Sequence, residues 1–332
     1  MGNGKTIVVL GATGNQGGSV AKLFNKAGWS VRAITRNPSS ESAKALVAQG
    51  IEVAAAELDS LPSLVSAFKG AHVIFGVTDF WAPYFARYGE LSQVSDRATG
   101  EYATAIEIQR GKNIVDAAET VLKEEGLLER FIWSSLPSIN KSSGGEYTYA
   151  YHYDGKALVQ EYLQHEKKEL WLRSSVLHMG FYATNLKTFG KVVGANQDES
   201  GTVVFSNPGG NDASHPFVVP SDTGKYVDLL VRTPPGNELL ACSVETSYNT
   251  FMKTWSEVTG IPSRVEEITV DQADKAAPGG LGREVAESTA WGAKYGWGQR
   301  EGKLVLPWQL DPQIELTSLR EYFEVENWKE FA

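Results

Sequence analysis

The sequence predicts an α/β fold: a Rossmann-like, doubly wound parallel sheet with a smaller C-terminal substrate lobe. Three observations predict it. Strand-like and helix-like patterns alternate through the first half of the 332-residue chain. A glycine-rich turn, "GATGNQG" at 11–17, stands between the first strand and the first helix. After about residue 176 the alternation weakens, and glycine and asparagine become frequent in 194–213.

"TIVVLGA" (6–12) is a short, apolar, β-branched run that reads as a strand. Val20, Leu23, Phe24 and Ala27 follow at helical spacing, and Gly28 suits the helix end. "SVRAIT" (30–35) is the second strand, and "SESAKALVAQG" (40–50) a helix ending at Gly50. "EVAAAEL" (52–58) is the third strand, followed by an apolar helical face of Leu61, Leu64, Val65 and Phe68. "HVIFGVT" (72–78) is the fourth strand, and "DFWAPYFARYGE" (79–90) reads as a long aromatic loop. A long helix over about 101–125 leads to a fifth strand, "RFIWSSL" (130–136). A helix over 154–165 and a sixth strand, "LWLRSSV" (170–176), close the alternation. Such a series implies a parallel sheet covered on both faces. Further on, helices are expected over 221–232, with Ser221 or Asp222 as N-cap, and up to Gly260. His215, ahead of Pro216, reads as a pocket-lining or a turn residue, the turn being favoured.

The net charge of −9 argues against a duplex-binding surface, because a basic face is needed to neutralise phosphates. The one cysteine, Cys242, allows no intramolecular disulfide. That points to a reducing compartment: the cytoplasm, with the nucleus as a second location. No apolar run is long enough for a spanning helix, so no membrane partner is expected. "MGNGKT" fits a loose myristoylation pattern but reads more simply as the lead-in to the first strand. The five histidines have no metal spacing, so no metal site is expected.

The glycine turn carries the chemistry. Gly11 permits the tight turn, Gly14 lets a pyrophosphate approach, and Gly17 allows helix to pack on strand. The helix N-terminus then favours the anionic phosphates. Thr13, Asn15 and Gln16 belong to the same expected cofactor site. Where an NAD site has an acidic residue, after the second strand, this chain has "ITRNP" with Arg36. A guanidinium there grips a 2′-phosphate, so the expected cofactor is NADP(H). Asp59 is expected either to hydrogen-bond the adenine or to cap the helix from about Leu61. Residues 1–176 are thus read as an NADP(H)-binding domain, with a segment over about 221–245 returning to it. Residues 177–332 are read as the smaller, discontinuous substrate lobe.

"GATGNQGGSV", "VRAITRNP", "VTDFW" and "YHYDGKALVQEYL" together resemble the NmrA-like family, an atypical branch of the short-chain dehydrogenase/reductases, in its fungal form. "FYATNL" (181–186) and "HPFVVPSDTG" (215–224) also look like family positions. The resemblance implies a Rossmann-like fold and divides in function. Some members are NADP(H)-dependent reductases; others bind the dinucleotide without known catalysis and act as redox-responsive regulators through a protein partner. In typical short-chain dehydrogenases a tyrosine four residues before a lysine donates a proton, working with a serine. Lys156 matches that lysine, His152 stands in the tyrosine's place, and Ser134 or Ser135 matches the serine region. Thr78, Ser135 and Lys156 are therefore assigned to the cofactor site, and Lys156, His152 and Tyr153 are the catalytic candidates. The aspartate and glycine at 154–155 place the helix start near 154, which weakens the common face of His152 and Lys156.

Ligands bind at the carboxyl ends of the strands in open parallel sheets. Phe80, Trp81 and Tyr84 after the fourth strand, with His178, Tyr182 and Asn185 after the sixth, are therefore read as substrate-binding residues. The expected activity is NADPH-dependent reduction of a carbonyl or conjugated, aromatic small molecule. The alternatives are a catalytically silent redox sensor and, more weakly, an isomerase or lyase. Among His152, a neighbouring tyrosine and Lys156, the sequence leaves the proton donor open.

Overall fold

The structure is a computed structural model describing residues 4–188, 195–299 and 302–331. The first half runs β1 (Thr6–Val9), α1 (Asn15–Lys26), β2 (Ser30–Thr35), α2 (Glu41–Val47), β3 (Glu52–Ala55), α3 (Leu61–Phe68) and β4 (Val73–Gly76). It continues with α4 (Trp81–Leu91), α5 (Ala98–Glu125), β5 (Arg130–Ser135), α6 (Ile139–Ser142), α7 (Tyr151–Glu166), α8 (Lys168–Trp171) and β6 (Ser174–Met179). The second half holds β7 (Phe181–Tyr182), α9 (Asn185–Thr188), β8 (Ala195–Gln197), β9 (Val203–Pro208), β10 (His215–Val218), α10 (Thr223–Arg232) and β11 (Glu238–Ala241). It ends with β12 (Val244–Thr246), α11 (Tyr248–Thr259), β13 (Ser263–Ile268), α12 (Val270–Ala276), α13 (Leu281–Tyr295), β14 (Leu304–Val305), α14 (Pro307–Leu310) and α15 (Leu319–Val325).

The main sheet has the order β14-β11-β6-β5-β4-β1-β2-β3, and every pairing in it is parallel. The chain winds outward from β1 to β3, then crosses back to β4. Ligands of such sheets bind at this reversal. Ile7 and Val9 join one apolar layer with Phe24 and Tyr226, whereas Val8 and Leu10 join the other with Phe68 and Ile114. Burial on both faces is why the strands read as unbroken apolar runs. Among the described residues, no helix is long and apolar enough to cross a membrane.

Two elements of 221–245 lie in this main unit. α10 packs on α1, where the Gly224 N–H donates to Ser19 Oγ at 2.9 Å. β11 pairs with β6, and β14 extends the edge beyond it. The remaining strands form two small sheets, β12-β10-β7 and β13-β9-β8. They share an aromatic core that includes Phe205, Phe217, Tyr248, Phe251 and Trp255.

Several local expectations are corrected. The "DFWAPYFARYGE" stretch is helical from Trp81, not a loop. Pro83 sits in the first turn, where a missing N–H costs little. The Asp79 carboxylate accepts from Trp81 N at 2.9 Å and Ala82 N at 3.3 Å, holding that turn. α7 starts at Tyr151, three residues earlier than expected. Asp154 does not start that helix; it accepts from Ser138 Oγ at 2.8 Å and Asn140 N at 3.2 Å, tying down α6. The sixth strand is Ser174–Met179, and "LW" belongs to α8. Leu170 is fully buried while Leu172 is 74% exposed; on a strand both would share one face, whereas α8 and its end place them apart. Asp222 precedes α10 without a side-chain cap bond; its carboxylate accepts from Thr317 and Ser243 instead. His215 is no turn residue. It opens β10, fully buried, and its Nδ1 accepts from Trp297 Nε1 at 2.9 Å.

Candidate functional site

A cleft of about 740 Å³ crosses the carboxyl ends of six adjacent strands. Its lining includes Asp59 after β3, Arg36 after β2, Gly11 after β1, Thr78 after β4, Leu136 after β5 and Phe181 after β6. With strands ~4.8 Å apart, six of them span roughly 24 Å, which suits an extended ligand.

At the centre lies the turn from β1 to α1. Gly11 has φ +63°, and a Cβ there would stand 3.0 Å from Val77 Cγ1. A Cβ on Gly17 would collide with the backbone of Leu10 and Gly11. Gly14 is the N-cap of α1, with no side-chain cap bond and no acidic residue in the first turn. Thr13, Asn15 and Gln16 line the same wall. A helix start left open in this way suits an anionic group, and these residues fit a dinucleotide's pyrophosphate.

At one end, Asp59 pairs with Arg110 through two contacts, 2.8 and 2.7 Å. That hydrogen bonding holds the Asp59 carboxyl below its ordinary range. The expected capping role falls to Ser60, whose Oγ accepts from Ser63 N at 3.4 Å. Arg36 forms no ion pair within 4 Å among the described residues, although its charge also helps to lower the Asp59 carboxyl. Its exposed guanidinium lines the cleft.

At the other end stands Lys156, only 9% exposed. Its ammonium donates to Thr78 Oγ1 at 3.1 Å, to Thr78 O at 3.2 Å and to Glu107 Oε1. Thr78 Oγ1 also donates to Glu107 Oε1, at 2.8 Å. All three donor positions of the ammonium are therefore used. Glu107 comes from α5, where it is fully buried. Ser135 is buried beside this group, its Oγ 3.4 Å from Lys156 O.

His152 lies one turn before Lys156 on α7 and lines the cleft with it. Its ring packs near Trp81 and Phe80, with centroids 5.0 and 5.9 Å away. Its Nδ1 lies 2.5 Å from Glu284 Oε1 on α13. Burial pushes the His152 imidazole down to about 3 and raises the Glu284 carboxyl well above its ordinary range. Tyr153 lines the cleft beside them, packed on Trp291 and Trp297, and burial raises its phenol.

Phe80, Trp81, Tyr182 and Asn185 line the cleft. The Tyr182 hydroxyl is buried beside Gln16, whose Oε1 accepts from Ser134 Oγ at 2.6 Å. Tyr84 and His178 stand outside it, contrary to expectation. Tyr84 turns inward on α4, buried with Phe80, Ala103 and Leu281. His178 alternates with Met179 along β6 and points to the other face, 3.1 Å from Glu238 Oε2.

Sequence reasoning missed Glu107, Arg110 and Glu284. A carboxylate four residues from Ala103 and seven from Ile114 on one helical face was the readable sign of Glu107. Glu284 left no such sign, because α13 was not foreseen.

The chain matches the model of the NmrA-like family over residues 3–332. It belongs to the NmrA-like family. Among curated relatives, the NmrA-like family domain-containing oxidoreductase cpsB of Aspergillus campestris is 31% identical over 77% of this chain and 74% of its own. The oxidoreductase notA of an Aspergillus species is 35% identical over 48% of this chain. That match covers 42% of notA, so the chain spans less than half of this relative's length. Among solved structures, NmrA, a negative transcriptional regulator, in complex with NADP superposes with a TM-score of 0.70. It covers 97% of this chain and 94% of its own at 20% identity. That likeness shows the NmrA-like fold: a large parallel sheet with smaller C-terminal sheets.

Proposed function

We propose that this NmrA-like chain is an NADP(H)-dependent oxidoreductase that reduces a carbonyl or conjugated group of a small aromatic compound. The observation that carries this reading is the continuity of one cleft. It runs from a glycine turn and an exposed arginine to a buried lysine and a histidine under an aromatic wall. The oxidoreductase names of cpsB and notA support the same class.

The first turn of α1 holds the pyrophosphate, and Arg36 holds the 2′-phosphate. Lys156 and Thr78 lie at the ribose end, where Lys156 exchanges one Thr78 contact for a ribose hydroxyl. A bound dihydronicotinamide supplies hydride to an electrophilic carbon. With all its donors engaged, Lys156 orients; His152, in the tyrosine's position, is the better proton source. Phe80, Trp81, Met179, Phe181 and Val285 exclude water and suit a flat, largely apolar substrate.

Arg36→Ala tests the cofactor choice. In a fluorescence titration it should weaken NADP(H) by roughly 10–100-fold, the range for charge-assisted hydrogen bonds, and leave NAD(H) nearly unchanged. Equal losses for both cofactors would remove the 2′-phosphate assignment.

A further inference from the structure

α13 reaches over the cleft from the second half of the chain. Val285 and Ser288 line the cleft, and Glu284 faces the first turn of α7. Glu284 Oε1 accepts the backbone N–H of His152 at 2.9 Å and also contacts His152 Nδ1. The carboxyl is 1% exposed, and its Oε2 has no hydrogen-bond partner among the described residues. The His152 ring, by contrast, keeps 14% of its surface open and lines the cleft. Its Nε2 has no protein partner among the described residues. One ring nitrogen is thus committed to a buried carboxyl, and the other is open to substrate.

We propose that Glu284 is the proton reserve of a two-residue relay, recharging His152 Nδ1 as His152 Nε2 protonates the substrate. The inference rests on the oxidoreductase reading and deepens it. In the step, the substrate carbonyl carbon takes hydride and its C=O electron pair moves to oxygen. That oxygen takes the Nε2 proton, and the Glu284 proton moves to Nδ1. The carbonyl is reduced and the dihydronicotinamide is oxidised. After product leaves, His152 regains its Nε2 proton from water and returns the Nδ1 proton to Glu284. His152 touches the reacting atoms; Glu284 acts only through it.

The surroundings favour a proton resting on Glu284 and a neutral imidazole. The charged and titratable groups facing the pair include Glu107 from α5, Tyr151, Tyr153, Asp154 and Lys156 from α7, Tyr84 from α4 and Glu287 from α13. Lys156 is already paired with Glu107, and among the described residues no cation acts directly on Glu284 to ionise it. Burial accordingly raises Glu284 and lowers His152.

The test combines ring nitrogen NMR with turnover. In ¹⁵N-histidine protein, the His152 signal, assigned by its loss in His152→Asn, should stay neutral and Nε2-protonated as pH is lowered from neutrality into the range where free histidine ionises. Glu284→Gln keeps a hydrogen-bond donor at Nδ1 but holds no transferable proton. It should preserve that tautomer and NADPH affinity, yet lower carbonyl turnover by ~100-fold, the scale of general acid catalysis. Glu284→Ala should release the ring to titrate nearer the ordinary histidine range. A ring that is charged or Nδ1-protonated in the native protein overturns the relay. So does Glu284→Gln turning over like the native protein. If the native protein turns over nothing, the oxidoreductase reading and the relay fall together; if only Glu284→Gln is undiminished, the relay falls alone.

Discussion

Lys156 shows how much a residue's role depends on a partner far away in sequence. An ammonium that is nearly buried is stabilised only when its charge and its donors are answered, and Glu107 and Thr78 answer both. Removing one partner of such a pair leaves a buried charge uncompensated. Lys156→Ala should therefore cost about 3–5 kcal/mol of stability, read as a lower urea midpoint. The double change Lys156→Met with Glu107→Leu should recover most of it. A midpoint unmoved by Lys156→Ala would show that the pair contributes nothing. His215 gives a second test at this scale. Burial pushes its imidazole from the ordinary 6.5 down to about 4. Between those values the unfolded chain takes up a proton that the folded one refuses. The contribution is therefore present above pH 6.5 and lost as pH falls to about 4, by about 3 kcal/mol. His215→Asn, which keeps an acceptor for Trp297, should flatten the pH dependence of the urea midpoint over that window. An unchanged slope would contradict the assignment.

At the scale of elements, the site depends on how closely α5 and α7 cross. A Cβ on Gly100 would meet the Tyr151 ring, and one on Gly155 would lie 3.0 Å from Glu107 Oε2. A Cβ on Gly111 would stand 2.5 and 2.9 Å from the two Val159 methyls. Close approach at these points is what brings Glu107 within reach of Lys156. Gly111→Ala should cost about 1–3 kcal/mol through overpacking, read as a lower thermal midpoint. Gly89→Ala is the contrasting case. It sits inside α4 with nothing within 4 Å of the added carbon, so it should stabilise by about 0.5–1 kcal/mol. Equal effects for the two would discount the crossing. These crossings were not legible in sequence. "DG" at 154–155 read as a helix start, yet its aspartate holds α6 and its glycine makes room for α5.

For the molecule as a whole, the parallel sheet was legible because strands buried on both faces leave unbroken apolar runs. The glycine turn and Arg36 were legible because their spacing from the strands is fixed by the fold. The smaller C-terminal lobe was expected, but the elements that build it were not legible. β7 is two residues long, and β13 (Ser263–Ile268) buries no residue fully and exposes Glu266 and Glu267 in succession, so neither leaves a strong periodic signal. α13 was hidden because its buried positions are mostly small or polar, Gly282, Glu284, Ser288 and Thr289 among them, although it supplies the Glu284 that completes the His152 end of the cleft. A cleft assembled from both halves can equally hold a dinucleotide in silence, as a sensor would. The decisive measurement is loss of the reduced-nicotinamide absorbance when purified protein is mixed with NADPH and a panel of aromatic ketones and quinones. The account predicts sustained oxidation with at least one acceptor and little with NADH. Tight NADPH binding with no turnover of any acceptor would contradict it.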